Sequence, residues 1–475
     1  MKRKTDWILI GVFVLALVLM TCVLLVWLGS RSKNQKAEDL TTFSAYTDYE
    51  LFQTVPTMET KGVEYTDARE VGDDNYMIQA ECTSMEDYEA YLKLLEKKGY
   101  TKYMDNGENG IDGDVFSSYY QKDNLTLYIC HFVNTSTTMI NVCEDAIFSE
   151  HLFYDESYVK DNIPGAKTKL HAPEMYVAGN SFFFQLKNGH FLLSDGGTKE
   201  EILYLLDYME SLTPKGEKPV IEAWFITHPH QDHMGILLAF FDHPEYAERI
   251  CVENIYFNAP TKDSYDNFLV FDSPQQHVTY CKGAGRYFKT STGENPTVYR
   301  PRIGERYYFN DITIDIVYSP ELLPAEEWKT YNASCYVQMF HIEGQRVLMT
   351  ADVEYNCQRI YMEIFSKEYF DIDVYQMPHH GLNVYIEFAN YCKRLQTLLY
   401  PTYVIGTPGA TGENISPQNK YFEDKAEESM SFGTGTHVLT FPYAVGEYET
   451  LPRWEWKYHI EPSRSETYRE GEKNE

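Results

Sequence analysis

The strand-like run IEAWFIT (221–227) passes without a spacer into HPHQDH (228–233), and this junction restricts the fold more than any other part of the chain. His228 and His230 stand two residues apart, so in extended geometry both imidazoles leave the same face and can grip one metal ion. Asp232 and His233 come just before an apolar helix, GILLAFF, read as starting at Gly235. A chain turning into a helix there can aim two more ligands at a neighbouring ion. Four strong ligands in six residues behind a buried strand exceed what a solvated loop needs, and the spacing suits a dinuclear site.

Two ions about 3.5–4 Å apart need a bridging anion and ligands from elsewhere in the chain. Two later strands end in suitable residues. QRVLMTADVE (345–354) delivers Asp352 at a strand end, where a carboxylate can bridge two ions. VYQMPHHGLN (374–383) ends in Pro378, His379, His380 and Gly381, so one histidine of the pair can reach metal while the other faces substrate. The mixture of histidine and aspartate favours two divalent ions of zinc, with manganese or iron as alternatives.

Together these residues resemble the metallo-beta-lactamase superfamily and, within it, the hydrolase domain of ComEC-type competence proteins. The likeness runs over about 173–445. It implies an α/β fold, a four-layer αββα sandwich with the metals at one edge. His228 and His230 are implied for one ion, Asp232 and His233 for the other, with Asp352 and His380 completing the metal set. Asp195 in LLSDGG is implied to support the ligand loops from behind. Asn332 and Ser334 match the subgroup's Asn-x-Ser strand, Pro378 to Gly381 its PHHG, and Ala351 stands where it has glycine. Many relatives carry a further histidine before the bridging aspartate. Of the candidates, none in a recognisable context, His243 reads as on or just after a helix and His341 as inside a strand; whether His277 completes the first ion's shell stays open.

The chemistry expected is metal-assisted hydrolysis by a metal-bridging hydroxide, with Asp232 orienting the attacking group and His379 protonating the leaving group. The ComEC-type likeness favours a phosphodiester, in a nucleic-acid strand or in the cell envelope, and the expected partner is a small-molecule or envelope phosphodiester. A lactone, thioester or β-lactam hydrolase, or a non-catalytic metal-binding sensor module, are the alternatives. Against 41 basic residues stand 71 acidic ones, a net charge of −30 that repels extended nucleic acid and excludes a general coat protein for it. Local relief comes in 282–306, where Lys282, Arg286, Lys289, Arg300, Arg302 and Arg306 interleave with Tyr287, Phe288 and Tyr299. Such a stretch can track a single strand, but the simpler reading is an ordinary solvated loop.

Residues 7–29 form an uncharged run of 23 residues, long enough to cross a bilayer core of about 30 Å, with Trp7 and Trp27 near its ends. The expectation is a transmembrane anchor in the cell membrane, a short cytoplasmic N-terminus and an extracytoplasmic hydrolase domain. A polar tether (31–45) leads to a small α+β accessory domain at 46–145. Its helix, 84–100, has Tyr88, Tyr91, Leu92 and Leu95 on one face, a Ser84/Asp87 start and a Gly99 stop. Its strands are VFSSYY, LTLYICHF and TTMINVCE. A connector (146–172) precedes the hydrolase domain, 173–460, which opens with a hairpin at 182–197 and a helix at 199–212. With 40 Tyr and 26 Phe the chain can fill more than one core. The eight cysteines outside the apolar run form no CxxC pair, and many read as buried thiols.

Overall fold

The computed structural model describes residues 50–451, apart from 59, 61, 73–74, 153–161, 176–178, 259–282, 325–326, 329, 383, 401–418 and 432–434. The apolar run at 7–29, the tether, His277 and Lys282 lie outside the described residues. Among those described, no helix is long and apolar enough to cross a membrane.

The N-terminal unit starts with a short helix, α1 (Glu50–Thr54), and continues through β1 (Glu64–Gly72), β2 (Asn75–Glu81), α2 (Met85–Lys97), β3 (Thr101–Asp105), β4 (Val115–Lys122), β5 (Leu125–Phe132) and β6 (Thr137–Glu144). Its strands form one antiparallel sheet in the order β1-β2-β6-β5-β4-β3. α2 starts at a capping box, Ser84 bonding the Asp87 amide while Asp87 bonds back, and Gly99 just past its end has φ +88°. The sheet is apolar on both faces. Leu127, Ile129 and Ile78 pack under Tyr88, Tyr91 and Leu95 of α2. The alternate residues Tyr128, Cys130 and Met77 join a core shared with the following domain.

In that domain come β7 (Lys169–Ala172), β8 (Ser181–Gln185), β9 (Phe191–Asp195), α3 (Ile202–Leu212), β10 (Val220–Ile226), α4 (Gln231–Asp242), β11 (Cys251–Val252), β12 (Asn254–Phe257) and β13 (Thr297–Tyr299). Next are β14 (Arg306–Phe309), β15 (Ile312–Tyr318), β16 (Val337–Ile342), β17 (Gln345–Met349), α5 (Tyr355–Ile364), β18 (Val374–Gln376), β19 (Thr397–Tyr400) and β20 (Glu428–Ser431). β21 (Thr436–Thr440) and β22 (Tyr448–Leu451) return to the first sheet. One sheet runs β13-β12-β10-β9-β8-β7-β21-β22, with β11 also on β10, and the other β14-β15-β16-β17-β18-β19-β20. The expected boundary at 173 therefore falls after the first strand of the fold, because β7 is bonded to β8 and β21.

Side-chain alternation builds the layers. Phe182, Phe184, Leu192, Ala223 and Phe225 face Ile314, Ile316, Phe340, Val347 and Met349 across the space between the sheets. Leu193, Trp224 and Ile226 point the other way, against α3 and α4. Leu348, Tyr375 and Leu398 point outward against α5 and the N-terminal unit.

Three arginines of the basic stretch, Arg300, Arg302 and Arg306, are spent on this packing, while Arg286 and Lys289 stay exposed. Arg302 donates to Asn75 Oδ1 at 2.7 Å and Tyr119 Oη at 3.1 Å, Arg300 bonds the Val71 carbonyl, and Arg306 forms a bidentate pair with buried Asp315 at 2.6 and 2.9 Å. Gly304, at φ +85°, accepts from Ser117 Oγ at 2.9 Å and lies so close that a Cβ would sit 2.9 Å from Cys130 Sγ. The seven cysteines among the described residues are all free thiols.

Candidate metal centre

β9 and β10 are parallel neighbours, so their carboxyl ends lie side by side. Asp195 ends β9 in a left-handed conformation, φ 60°, which turns its carboxylate towards the end of β10. Oδ1 accepts the Thr227 N–H at 2.8 Å, the Thr227 hydroxyl donates to the carboxylate at 2.9 Å, and Asn180 Nδ2 donates to Oδ2 at 3.3 Å. His233 Nδ1 donates to Oδ2 at 2.7 Å. The hydroxyl has only one proton and gives it to Asp195, so it accepts from His228 Nδ1 at 3.0 Å. These Nδ1 bonds fix the rings of His228 and His233 so that Nε2 is the nitrogen each can offer to a metal once it is deprotonated. His230 Nδ1 lies 3.0 Å from His228 Nε2, which leaves its own Nε2 available.

α4 starts at Gln231 with His230 as its N-cap, four residues before the expected start at Gly235. Asp232 and His233 thus sit in its first turn, where the helix dipole favours the carboxylate. Gly235 allows the helix this close approach: a Cβ there would be 2.6 Å from the Gly197 carbonyl oxygen and 2.6 Å from Thr198 Cα.

The second sheet supplies the remaining donors. β17 and β18 are parallel, and the loops after them carry Asp352 and the Pro378–Gly381 turn. Ala351, His379 and His380 all have positive φ, at 48°, 49° and 53°. Three such residues are costly without support, and Gln376 provides much of it. This fully buried side chain accepts from Thr350 N at 2.8 Å and Ala351 N at 2.7 Å, and donates to Ala351 O at 3.0 Å and Met377 O at 2.7 Å. His379 N closes the link on Ala351 O at 3.0 Å. Neither Gln376 nor Thr227 stands out in the sequence, since their roles exist only once distant strands pair.

At the common edge the two halves meet. His233 Nε2 is 3.1 Å from Asp352 Oδ1, and His380 Nε2 is 3.1 Å from Asp232 Oδ2 and 3.6 Å from Asp352 Oδ2. Two donor groups result, Asp232, His233, Asp352 and His380 in one and His228, His230 and Asp352 in the other. Asp352 belongs to both. His233 Nε2 and Asp352 Oδ1 are buried yet have no hydrogen-bond partner, although 3.1 Å apart. Such atoms are expensive unless a cation satisfies them, so the residues present fit divalent metal ions. His379 is the more open of the adjacent pair, 22% exposed at its side chain, with Nε2 3.9 Å from Asp352 Oδ2 and 3.4 Å from the Asn332 amide nitrogen. His243 lies at the far end of α4 beside Glu245, and His341 pairs with Asp315, so neither joins the cluster.

Burial pushes each of these groups towards its neutral form, and the neighbouring charges decide the outcome. His228 falls well below the ordinary imidazole value through burial and the neighbouring His233 and His230, and His230 falls through burial. His233 is lifted well above it, because Asp352, Asp195 and Asp232 outweigh burial; Asp352 and Asp232 do the same for His380. Against burial, the charges of His233 and His380 hold both Asp232 and Asp352 below the usual carboxylate range. Protons on two histidines balance carboxylates that a divalent ion would balance directly.

The model of the metallo-beta-lactamase superfamily matches residues 176–401, and this part of the chain is a metallo-beta-lactamase superfamily domain. Among solved structures, the chain is similar to the metallo-beta-lactamase fold protein YhfI from Bacillus subtilis. That likeness has 12% identity and a TM-score of 0.33 over 56% of this chain and 96% of the other. It is also similar to Zn(2+)-bound PqqB from Methylobacterium extorquens, at 11% identity and a TM-score of 0.32 over 53% of this chain and 85% of that one. No curated protein matches the chain.

Proposed function

We propose that the chain is a membrane-anchored, metal-dependent hydrolase that cleaves a phosphodiester. The observation that carries the reading is the shared carboxylate: Asp352 lies in both donor groups, the arrangement that brings two ions close enough to act on one water and one substrate. When bound, the ions supply Lewis acidity that makes water a nucleophile near neutral pH and offsets charge on the reacting oxygens. Asp195 and Thr227 fix the histidine tautomers, and Gln376 fixes the loop of Asp352. Asp232, half-buried at the mouth, orients the attacking water. His379, the exposed member of its pair, protonates the leaving group.

The likeness of Asn332–Ser334 and Pro378–Gly381 to ComEC-type motifs supports a phosphodiester, and the net charge of −30 favours a small or envelope substrate over long nucleic acid. The engagement of Arg300, Arg302 and Arg306 in internal contacts supports the same choice. The run at 7–29 supports a single-pass anchor with the hydrolase domain outside the cell. Full-length protein in detergent, loaded with zinc, should cleave bis-p-nitrophenyl phosphate, and Asp352→Ala should abolish turnover and metal loading together. Cleavage of only a chromogenic lactam or a thioester would overturn the phosphodiester assignment, and loaded protein inert towards all three would point to a sensor. Protease added to intact cells should digest the body; full protection would reverse the orientation.

A further inference from the structure

The two donor groups are unequal: one has four side chains and the other three, His228, His230 and Asp352. Beside them is a polar atom with no assigned task. Asn332 is 3% exposed, and its Oδ1 is buried with no hydrogen-bond partner. It sits in a buried turn, Tyr331–Ser334, held by Ser334 Oγ on the Tyr331 carbonyl at 2.7 Å and the Cys335 N–H on the Asn332 carbonyl at 3.1 Å. The turn is placed against the centre from two sides. The Tyr331 ring stands edge-on to His230 with centroids 5.4 Å apart, and the Asn332 amide nitrogen is 3.4 Å from His379 Nε2. An unsatisfied carbonyl oxygen in a rigid, buried turn is costly to keep, unless it faces a cation or a polar ligand atom.

We propose that Asn332 Oδ1 is the fourth protein donor of the His228, His230 and Asp352 position. This rests on the metal-centre reading and adds a ligand to it. With Asn332 each position has two imidazole nitrogens and two oxygens, but this one has a neutral amide where its neighbour has the Asp232 carboxylate. It therefore holds its ion more weakly, and the amide oxygen makes it more tolerant of a hard ion such as manganese than a third imidazole would. The chain then has one tight and one exchangeable metal position.

The test is a titration of chelator-stripped full-length protein in detergent with cobalt(II) and with zinc, followed by visible absorption and calorimetry. Wild type should show two binding classes. Asn332→Ala should weaken the looser class by about ten-fold or more and leave the tighter one in place, as losses at metal shells commonly do. Asn332→Asp should strengthen the looser class, and Asn332→His should shift it towards zinc over manganese. His277→Ala should leave both classes unchanged. The proposal is overturned if Asn332→Ala keeps both affinities, if it loses both classes or the fold, or if His277→Ala removes the looser class. Wild type binding no metal at all would instead defeat the metal-centre reading itself.

Discussion

Replacement of Gln376 by alanine removes four hydrogen bonds to the backbone inside a fully buried layer, those to Thr350 N, Ala351 N, Ala351 O and Met377 O, besides a longer one from the Thr350 hydroxyl at 3.3 Å. At about 0.5–1.5 kcal/mol net for each, the loss is about 2–6 kcal/mol. That is a large share of the roughly 5–15 kcal/mol that holds a typical domain together. Gln376→Glu separates geometry from volume. A carboxyl oxygen still accepts from the two amides, but the other then faces the Ala351 and Met377 carbonyls and bonds them only through a proton. The folded state thus favours the protonated acid and raises its pKa above the unfolded value of about 4.3. The stability contributed by that proton is complete below the unfolded value and is lost as pH rises through the folded one. Urea unfolding of chelated protein between pH 5 and 8 should therefore show Gln376→Glu near wild type at the acid end and several kcal/mol weaker at the alkaline end. A loss below about 1 kcal/mol for Gln376→Ala, or the same pH profile for Gln376→Glu as for wild type, would refute the clamp.

Ala351→Gly relieves a left-handed alanine that costs about 1–2 kcal/mol, offset by about 0.5–1 kcal/mol of extra chain entropy, so the unfolding midpoint should rise slightly rather than fall. Gly235→Ala places a methyl 2.6 Å from backbone atoms of the 197–198 loop, and should cost about 1–3 kcal/mol and weaken metal binding by shifting Asp232 and His233. Because His233 and His380 are raised and hold protons that an ion must displace, metal affinity should rise with pH through their titration and loading should release protons, measurable by calorimetry in buffers of differing ionisation heat. Arg302→Ala removes the bonds to Asn75 and Tyr119 and leaves buried Glu305 without its nearest countercharge, a loss of about 3–5 kcal/mol that should show as earlier proteolysis of the N-terminal unit.

The ligands were legible in the sequence because their chemistry is local. A strand end is marked by a few residues, and His228, His230, Asp352 and His380 each follow an apolar run directly. Their supports were not. Thr227 looks like any strand-end threonine until β9 pairs with β10, and Gln376 like any strand glutamine until β17 lies beside β18. The strands β1 and β2 were missed because EYTDAREVG is charged and only partly covered, so its apolar alternation is weak. Arg300 and Arg302 read as solvated because the sheet they meet is more than 150 residues earlier in the chain, and Arg302 pairs across 227 residues with Asn75. Ala351 stands where the subgroup has glycine, and only the structure shows that its backbone takes a conformation that suits glycine better.

The four-donor group takes Asp232 and His233 from the front of α4, packed on one sheet, and Asp352 and His380 from the loops of the other. Among the described residues the join between these sheets is mainly apolar and non-directional, able to resist separation but poorly suited to resist sliding at its open rim. A cation seated at that rim would pin the two plates in register like a rivet, so heat should first unlatch the mouth in depleted protein while the interior still holds.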